Sequence, residues 1–112
     1  MNAKTCTERR TLKARARTNR AAAKITRRGT ASLATHAISA GLGPTEARTV
    51  AGSLRRSAKK LGIEGTQGRA HAGCRMRDVT RYTRTQVAAA AGVYRPRVAA
   101  YKLAAETLRL AA

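Results

Sequence analysis

The chain has 112 residues, and its 24 lysines and arginines against five acidic residues give a formal net charge of +19. This charge is far beyond what solubility requires and indicates a polyanionic partner. Eighteen of the basic residues are Arg, whose planar fork suits phosphates and guanine edges. The absence of Trp and Phe and the many Ala favour close helix packing over a broad sheet. No apolar run is long enough to span a membrane, so we expect a soluble, intracellular protein.

The sequence lacks the residue sets that catalysis requires. Its five acidic residues are scattered, and neither a Ser/His/Asp set nor a phosphate-binding glycine loop is present. We therefore expect no enzyme, no catalytic residue and no cofactor. His71 and Cys74 form one His-x-x-Cys pair, but a zinc site needs about four ligands, so no metal is expected. Cys6 and Cys74 are too few for a disulfide framework, and reduced thiols are the expectation.

Residues 1 to 29 form a basic arm, with ten basic residues against the single acid Glu8, a local charge of +9. After Met1 its sizeable apolar side chains are Leu12 and Ile25, too few to bury a face. We expect a disordered segment or a frayed helix. It would supply salt-dependent, non-specific affinity for nucleic acid, and a solubilising tail is the alternative. Its phosphate-contact candidates are Arg9, Arg10, Arg15 and Arg17.

Residues 30 to 63 have the pattern of two helices. Thr30 can cap the first, which stops at Gly41-Leu42-Gly43, and Pro44 opens a second that lasts until Leu61, with Gly62 as its stop. One face of the second helix is apolar, with Ala47, Val50, Ala51, Leu54, Ala58 and Leu61. The opposite face is cationic and supplies further phosphate-contact candidates: Arg48, Arg55, Arg56, Lys59 and Lys60.

Residues 64 to 78 hold three Gly and no apolar periodicity. This composition predicts a basic loop or linker, with a small β-ribbon as the alternative. Arg69, Arg75 and Arg77 could reach phosphates or a minor groove from here, or simply be solvated.

Residues 79 to 112 carry clear local signals. Thr83 and Gln86 have the spacing of a capping box, and Tyr82 and Val87 that of a hydrophobic staple. Gly92 can take the positive φ that ends a first helix. Pro96 suits the first turn of a second helix, which we expect from about residue 95 to 110.

The stretch from 83 to 101 resembles the helix-turn-helix of small basic DNA-binding proteins of bacteriophages and mobile elements. The positions that carry the resemblance are Val87, Ala88, Ala91, Gly92, Val93, Val98 and Tyr101. It implies that the second helix enters the major groove of double-stranded DNA. The base-contact candidates are then Tyr94, Arg95, Arg97, Ala99 and Ala100, and the phosphate-contact candidates nearby are Arg81, Arg84 and Lys102.

Six positions of this motif have counterparts 51 residues earlier in the chain. Ala37, Ala40, Gly41, Leu42, Ala47 and Val50 precede Ala88, Ala91, Gly92, Val93, Val98 and Tyr101. The earlier copy departs where His36 stands for Val87 and where Gly43-Pro44 shifts the turn by about a residue. A second, degenerate helix-turn-helix and an ordinary helical hairpin both fit residues 30 to 63.

On the last helix, Leu103 and Leu110 project away from the face expected to be buried. Either the hairpin of residues 30 to 63 or a second subunit must cover them, and a homodimer would match the two-fold symmetry common among such proteins. We expect an all-α fold with a C-terminal helix-turn-helix, acting as a regulator or accessory factor of a phage or mobile element. It would lie in the cytoplasm, in the bacterial nucleoid or an infected host cell. The alternative is a structural RNA-binding protein, similar to ribosomal proteins, or a nucleoid-associated protein.

Overall fold

The structure is a computed structural model that describes residues 3–72 and 75–111, with backbone alone at 3, 4 and 70–72. In chain order the elements are α1 (Ala3–Arg28), α2 (Leu33–Ser39), α3 (Pro44–Lys60), β1 (Thr66–Ala72), β2 (Arg75–Arg81), α4 (Arg84–Val93) and α5 (Ala99–Leu110). Most of the described residues are helical. The fold is broadly helical as expected, but the all-α prediction is wrong because residues 64 to 78 belong mainly to a two-strand sheet. This confirms the β-ribbon alternative for that segment rather than the loop.

Backbone pairing and polar cross-strand contacts of side chains hold this hairpin together. β1 and β2 are antiparallel, with Thr66 opposite Arg81 and Ala72 opposite Arg75. The Gln67 side chain donates to Thr80 Oγ1 at 3.3 Å, and Arg81 reaches back to donate to the Arg69 carbonyl at 3.2 Å. Such pairs stabilise a ribbon without an apolar face, and this is why hydrophobic alternation did not reveal it.

The hairpin is tied to the start of α2. Ala31 and Tyr82 form an isolated antiparallel bridge, with N–H···O distances of 3.1 and 2.8 Å. This pairing holds Ala31 extended, so α2 begins two residues later than predicted. Its N-cap is Ser32, whose hydroxyl accepts from the Thr35 N–H at 3.3 Å, and the prediction of Thr30 as cap is wrong.

The core lies where α2, α3, α4 and α5 meet. Most of its members are small or branched apolar side chains, among them Leu33, Ala37, Leu42, Val50, Leu54, Val87, Ala91, Ala104 and Leu108, and Tyr82 is its aromatic member. The predicted start of α3 at Pro44 and its stop at Gly62, which has φ +70°, are confirmed, but the helix ends at Lys60, one residue before the predicted Leu61. Leu61, expected in the core, is 47% exposed because it caps the helix beyond its last turn.

Residues 3–28 of the basic arm form a continuous helix rather than a disordered or frayed segment. In α1, Ala21 and Ile25 are buried and the last turns pack against α2, whereas residues 6–16 are all exposed. One well-buried Ile25 therefore anchors the helix, and its many Ala, Arg and Lys residues have high helix propensity along the projecting half.

On α5, Leu103 and Leu110 are 66% and 79% exposed. The hairpin of residues 30 to 63 therefore does not cover them, and coverage by a second copy stays a prediction.

Candidate nucleic-acid interface

The start of the C-terminal motif folds as predicted. The Thr83 N–H donates to Gln86 Oε1 at 2.9 Å, and the Gln86 N–H donates to Thr83 Oγ1 at 3.2 Å, which completes the capping box. Tyr82 and Val87, the expected staple pair, are both buried in the core. Ala91 is fully buried as well.

The turn of that motif does not form as predicted. Gly92 lies inside α4, and among the described residues positive φ occurs at Gly29, Gly41 and Gly62. α4 runs to Val93, and five residues, 94–98, separate it from α5. Arg95 precedes Pro96 and is thereby disfavoured in helical conformation, which delays the second helix.

Apart from Val87 and Ala91, the motif's core positions are only partly buried or are exposed. Val93 and Val98, expected at the corner and in the core, are 41% and 52% exposed. Ala88 is half-buried, and its neighbour Ala90 is buried instead. Tyr101 does pack against the core as expected.

Three of the five base-contact candidates lie in the loop of residues 94–98, outside any helix. Tyr94 is half-buried, and burial raises the pKa of its hydroxyl, against a hydrogen bond to Ser53 that lowers it. Arg95 donates from Nη1 to the carbonyl oxygens of Gly92 at 2.7 Å and Tyr94 at 3.2 Å. Arg97 is exposed, as are Ala99 and Ala100, which form the first turn of α5.

The tight turn appears instead between α2 and α3. Four residues, 40–43, separate these helices, and Gly41 takes φ +104°. Leu42 follows it and is buried, whereas its counterpart Val93 is exposed. A three- or four-residue turn containing Gly is the connection found in helix-turn-helix units.

His36, at the position of Val87, is compatible with this packing because its ring is satisfied. It is 1% exposed, and its Nε2–H donates to the Tyr82 carbonyl at 2.7 Å. Burial lowers the pKa of His36, that hydrogen bond opposes the shift, and the nearby Arg84 charge adds to it. A neutral histidine thus takes the place of an apolar residue.

The outer side of α3 presents what we term the α3 cationic face. It consists of five exposed side chains: Arg48, Arg55, Arg56, Lys59 and Lys60. The sole acidic residue of the helix, Glu46, lies in its first turn. The opposite side of α3 is buried in the core. This packing fixes the rotation of the helix, so its cationic side chains point towards solvent.

Grooves border this face on both sides. A groove of about 440 Å³ separates it from the hairpin, and its lining includes Arg55, Lys59 and Gln67. On the other side a groove of about 320 Å³ lies between α3 and the end of α4, lined in part by Arg56 and Lys60. The face is therefore flanked by the β-ribbon and by the loop of residues 94–98.

The remaining phosphate-contact candidates divide into tied and exposed side chains. Arg81 bonds within the hairpin, and Arg84 donates to Thr26 Oγ1 at 3.0 Å, joining α4 to α1. Lys102 is exposed on α5 beside Glu106. The exposed group comprises Arg9, Arg10 and Arg15 on α1 and Arg75 and Arg77 on the hairpin, and Arg17 is half-buried. Arg69 is also exposed, but its Nε pairs with Asp78 Oδ1 at 3.6 Å.

Among the described residues, no three His, Cys, Asp or Glu side chains come together as a metal site. The His71–Cys74 pair cannot be placed, because Cys74 and the side chain of His71 lie outside the described part of the chain. In that same part, no helix combines the length and the apolar character needed to cross a membrane.

Comparisons with protein-family models, curated proteins and solved structures found no match.

Proposed function

We propose that the protein binds double-stranded DNA and that α3 is its recognition helix, with α2 as the supporting helix of a helix-turn-helix. The observation that carries the proposal is the α3 cationic face, which stands opposite a fully buried side of the same helix. In helix-turn-helix proteins the second helix enters the major groove, and its first turns contact base edges. The positive φ of Gly41 and the buried Leu42 supply the turn.

The order of elements gives further support. α1, the Ala31 bridge, α2, the turn, α3 and the hairpin follow one another in the order of winged helix-turn-helix domains. In this comparison α3 corresponds to the recognition helix and β1–β2 to the wing. The likeness is one of arrangement alone, and the charge and exposure of α3 itself support the function.

Roles on α3 follow from position. Thr45, Arg48 and Thr49 are exposed in its first turns, where base edges would be contacted, and Arg48 suits the O6 and N7 atoms of guanine. Gly52, one turn later, has open space around it and permits close approach to DNA. Arg55 and Lys59 lie farther along and suit backbone phosphates.

The exposed half of α1 would add affinity without sequence choice. Its arginines project from the body of the protein over residues 6–16, where they can release counterions from flanking DNA. A role as regulator or accessory factor of a bacteriophage or mobile element belongs to the same proposal, and the small size and high charge of the chain support it.

Competition binding tests the partner class. The full chain is titrated with a labelled duplex DNA in the presence of unlabelled duplex DNA or duplex RNA of the same sequence, at about 0.15 M salt. We expect DNA to compete more strongly, because the deep and narrow major groove of RNA excludes a helix. Stronger competition by RNA would favour the structural RNA-binding alternative and overturn the proposal.

A further inference from the structure

The groove between α3 and the end of α4, which we term the α3–loop groove, is lined by residues from both helical pairs. Its walls are Ser53, Arg56, Ser57 and Lys60 from α3 and Val93, Tyr94 and Arg95 from the end of α4 and the following residues. Its volume is about 320 Å³. It is the place where the loop of residues 94–98 approaches the α3 cationic face.

Three of these residues are cationic, and none of the described residues that line the groove is acidic. Arg56 and Lys60 are one helical turn apart, and Arg95 faces them from the loop. Like charges at such spacing repel each other and destabilise the fold slightly. An anion in the groove would relieve that repulsion and turn it into attraction.

Arg95 is already positioned for such a ligand. Its Nη1 bonds to the carbonyl oxygens of Gly92 and Tyr94 hold the guanidinium against the end of α4. These bonds involve one of the three guanidinium nitrogen atoms and leave the other two able to donate to a ligand. Because the side chain is already held in place, it loses less conformational entropy on binding. The Ser53 hydroxyl already donates to the Thr49 carbonyl at 3.5 Å. The Tyr94 hydroxyl lies in the same wall, and because burial raises its pKa it stays neutral and can donate to an oxyanion.

We propose that the α3–loop groove binds a phosphate group through Arg56, Lys60 and Arg95. Resting on the proposed function, we assign this phosphate to the backbone of the duplex that α3 enters. The loop of residues 94–98 then clamps the DNA on the side of α3 opposite to the hairpin. Arg95 thus acts on the backbone rather than on a base, and the two helical pairs contribute to one interface.

The first experiment measures duplex affinity of the full chain against salt concentration for wild type, Arg95→Ala and Arg97→Ala. Arg97 is the matched control, since it is exposed in the same loop but does not line the groove. Loss of one phosphate contact lowers the slope of log K against log salt by up to about 0.9. We expect this loss with a severalfold weaker affinity for Arg95→Ala, restoration of the slope by Arg95→Lys, and little change for Arg97→Ala.

The second experiment titrates the free protein with inorganic phosphate and follows the Arg95 side-chain and Tyr94 backbone N–H signals by NMR. Chemical-shift changes that saturate in wild type and vanish in Arg56→Ala would support a phosphate site. If these changes occur but Arg95→Ala leaves the salt slope of DNA binding unchanged, the site binds free phosphate rather than DNA. If wild type binds no duplex, the proposed function is wrong. The phosphate titration still shows whether the α3–loop groove binds phosphate. An unchanged slope in Arg95→Ala together with no phosphate-dependent shifts overturns the proposal.

Discussion

The two helical pairs, α2–α3 and α4–α5, share six small or apolar positions at a spacing of 51 residues but differ in how they turn. In α2–α3 the chain reverses through Gly41, and Pro44 starts the next helix at once. In α4–α5 the glycine stays helical, and Pro96 stands three residues before α5. A glycine at the right spacing thus permits a tight turn, but the residues that follow it decide whether the turn forms.

Truncating the corner residue of each pair should give the largest contrast. Leu42→Ala removes a buried side chain and should cost about 2 to 3 kcal/mol of unfolding free energy, whereas Val93→Ala, at an exposed position, should cost less than about 1 kcal/mol. Urea unfolding followed by circular dichroism measures both. Equal losses would mean that the two corners are packed alike, against the structure.

Replacing the glycine of each turn by alanine should give effects of opposite sign. Gly41→Ala places a Cβ at φ +104° and should cost about 1 to 2 kcal/mol, although the surrounding space is open. Gly92→Ala, inside α4 with open space around it, should stabilise by roughly 0.5 to 1 kcal/mol. Thermal unfolding of the two variants checks this, and destabilisation by both would place Gly92 in a turn after all.

The third contrast is between His36 in the first pair and Val87 at the corresponding position of the second. Its expected effect on stability at neutral pH is the smallest of the three. Burial lowers the folded-state pKa of His36 below its unfolded value of about 6.5, so the unfolded chain binds the proton more readily. Unfolding free energy should therefore be constant above about pH 6.5, fall as the pH drops below it, and level off below the folded-state pKa. Measurement from pH 5 to 8 in wild type and His36→Gln tests this. Stability that rises on acidification, or an equal slope in the variant, would contradict it.

Local sequence signals predicted the parts of the fold that depend on neighbours along the chain. The capping box at Thr83, the Gly62 stop and the amphipathic α3 all follow from residues within a few positions of each other. The hairpin did not follow, because its strands are polar and are held by cross-strand contacts such as Arg81 over Gly68. The displacement of Thr30 by Ser32 as cap also depends on a distant residue, Tyr82.

The candidate interface was predictable to the same extent. The five cations of α3 share one face by helical periodicity alone. The sequence did not predict that Arg95 lies near these cations. Arg56 and Arg95 are 39 positions apart and line the same groove only because α3 packs against α4. The resemblance of residues 83 to 101 to a helix-turn-helix placed the base contacts on residues 94–100. The tight turn that such a unit needs lies instead between α2 and α3.

Selection of binding sites from a pool of random DNA duplexes tests the central claim, that α3 rather than α5 chooses the sequence. The selection is made with wild type, Arg48→Ala and Arg97→Ala. Both arginines are exposed, but Arg48 lies in α3 and Arg97 in the loop before α5. We predict one enriched site for wild type and Arg97→Ala, and for Arg48→Ala a loss of preference at a guanine position equivalent to about 1 to 3 kcal/mol. Loss of preference in Arg97→Ala with an unchanged site in Arg48→Ala would contradict the account and assign recognition to the C-terminal pair.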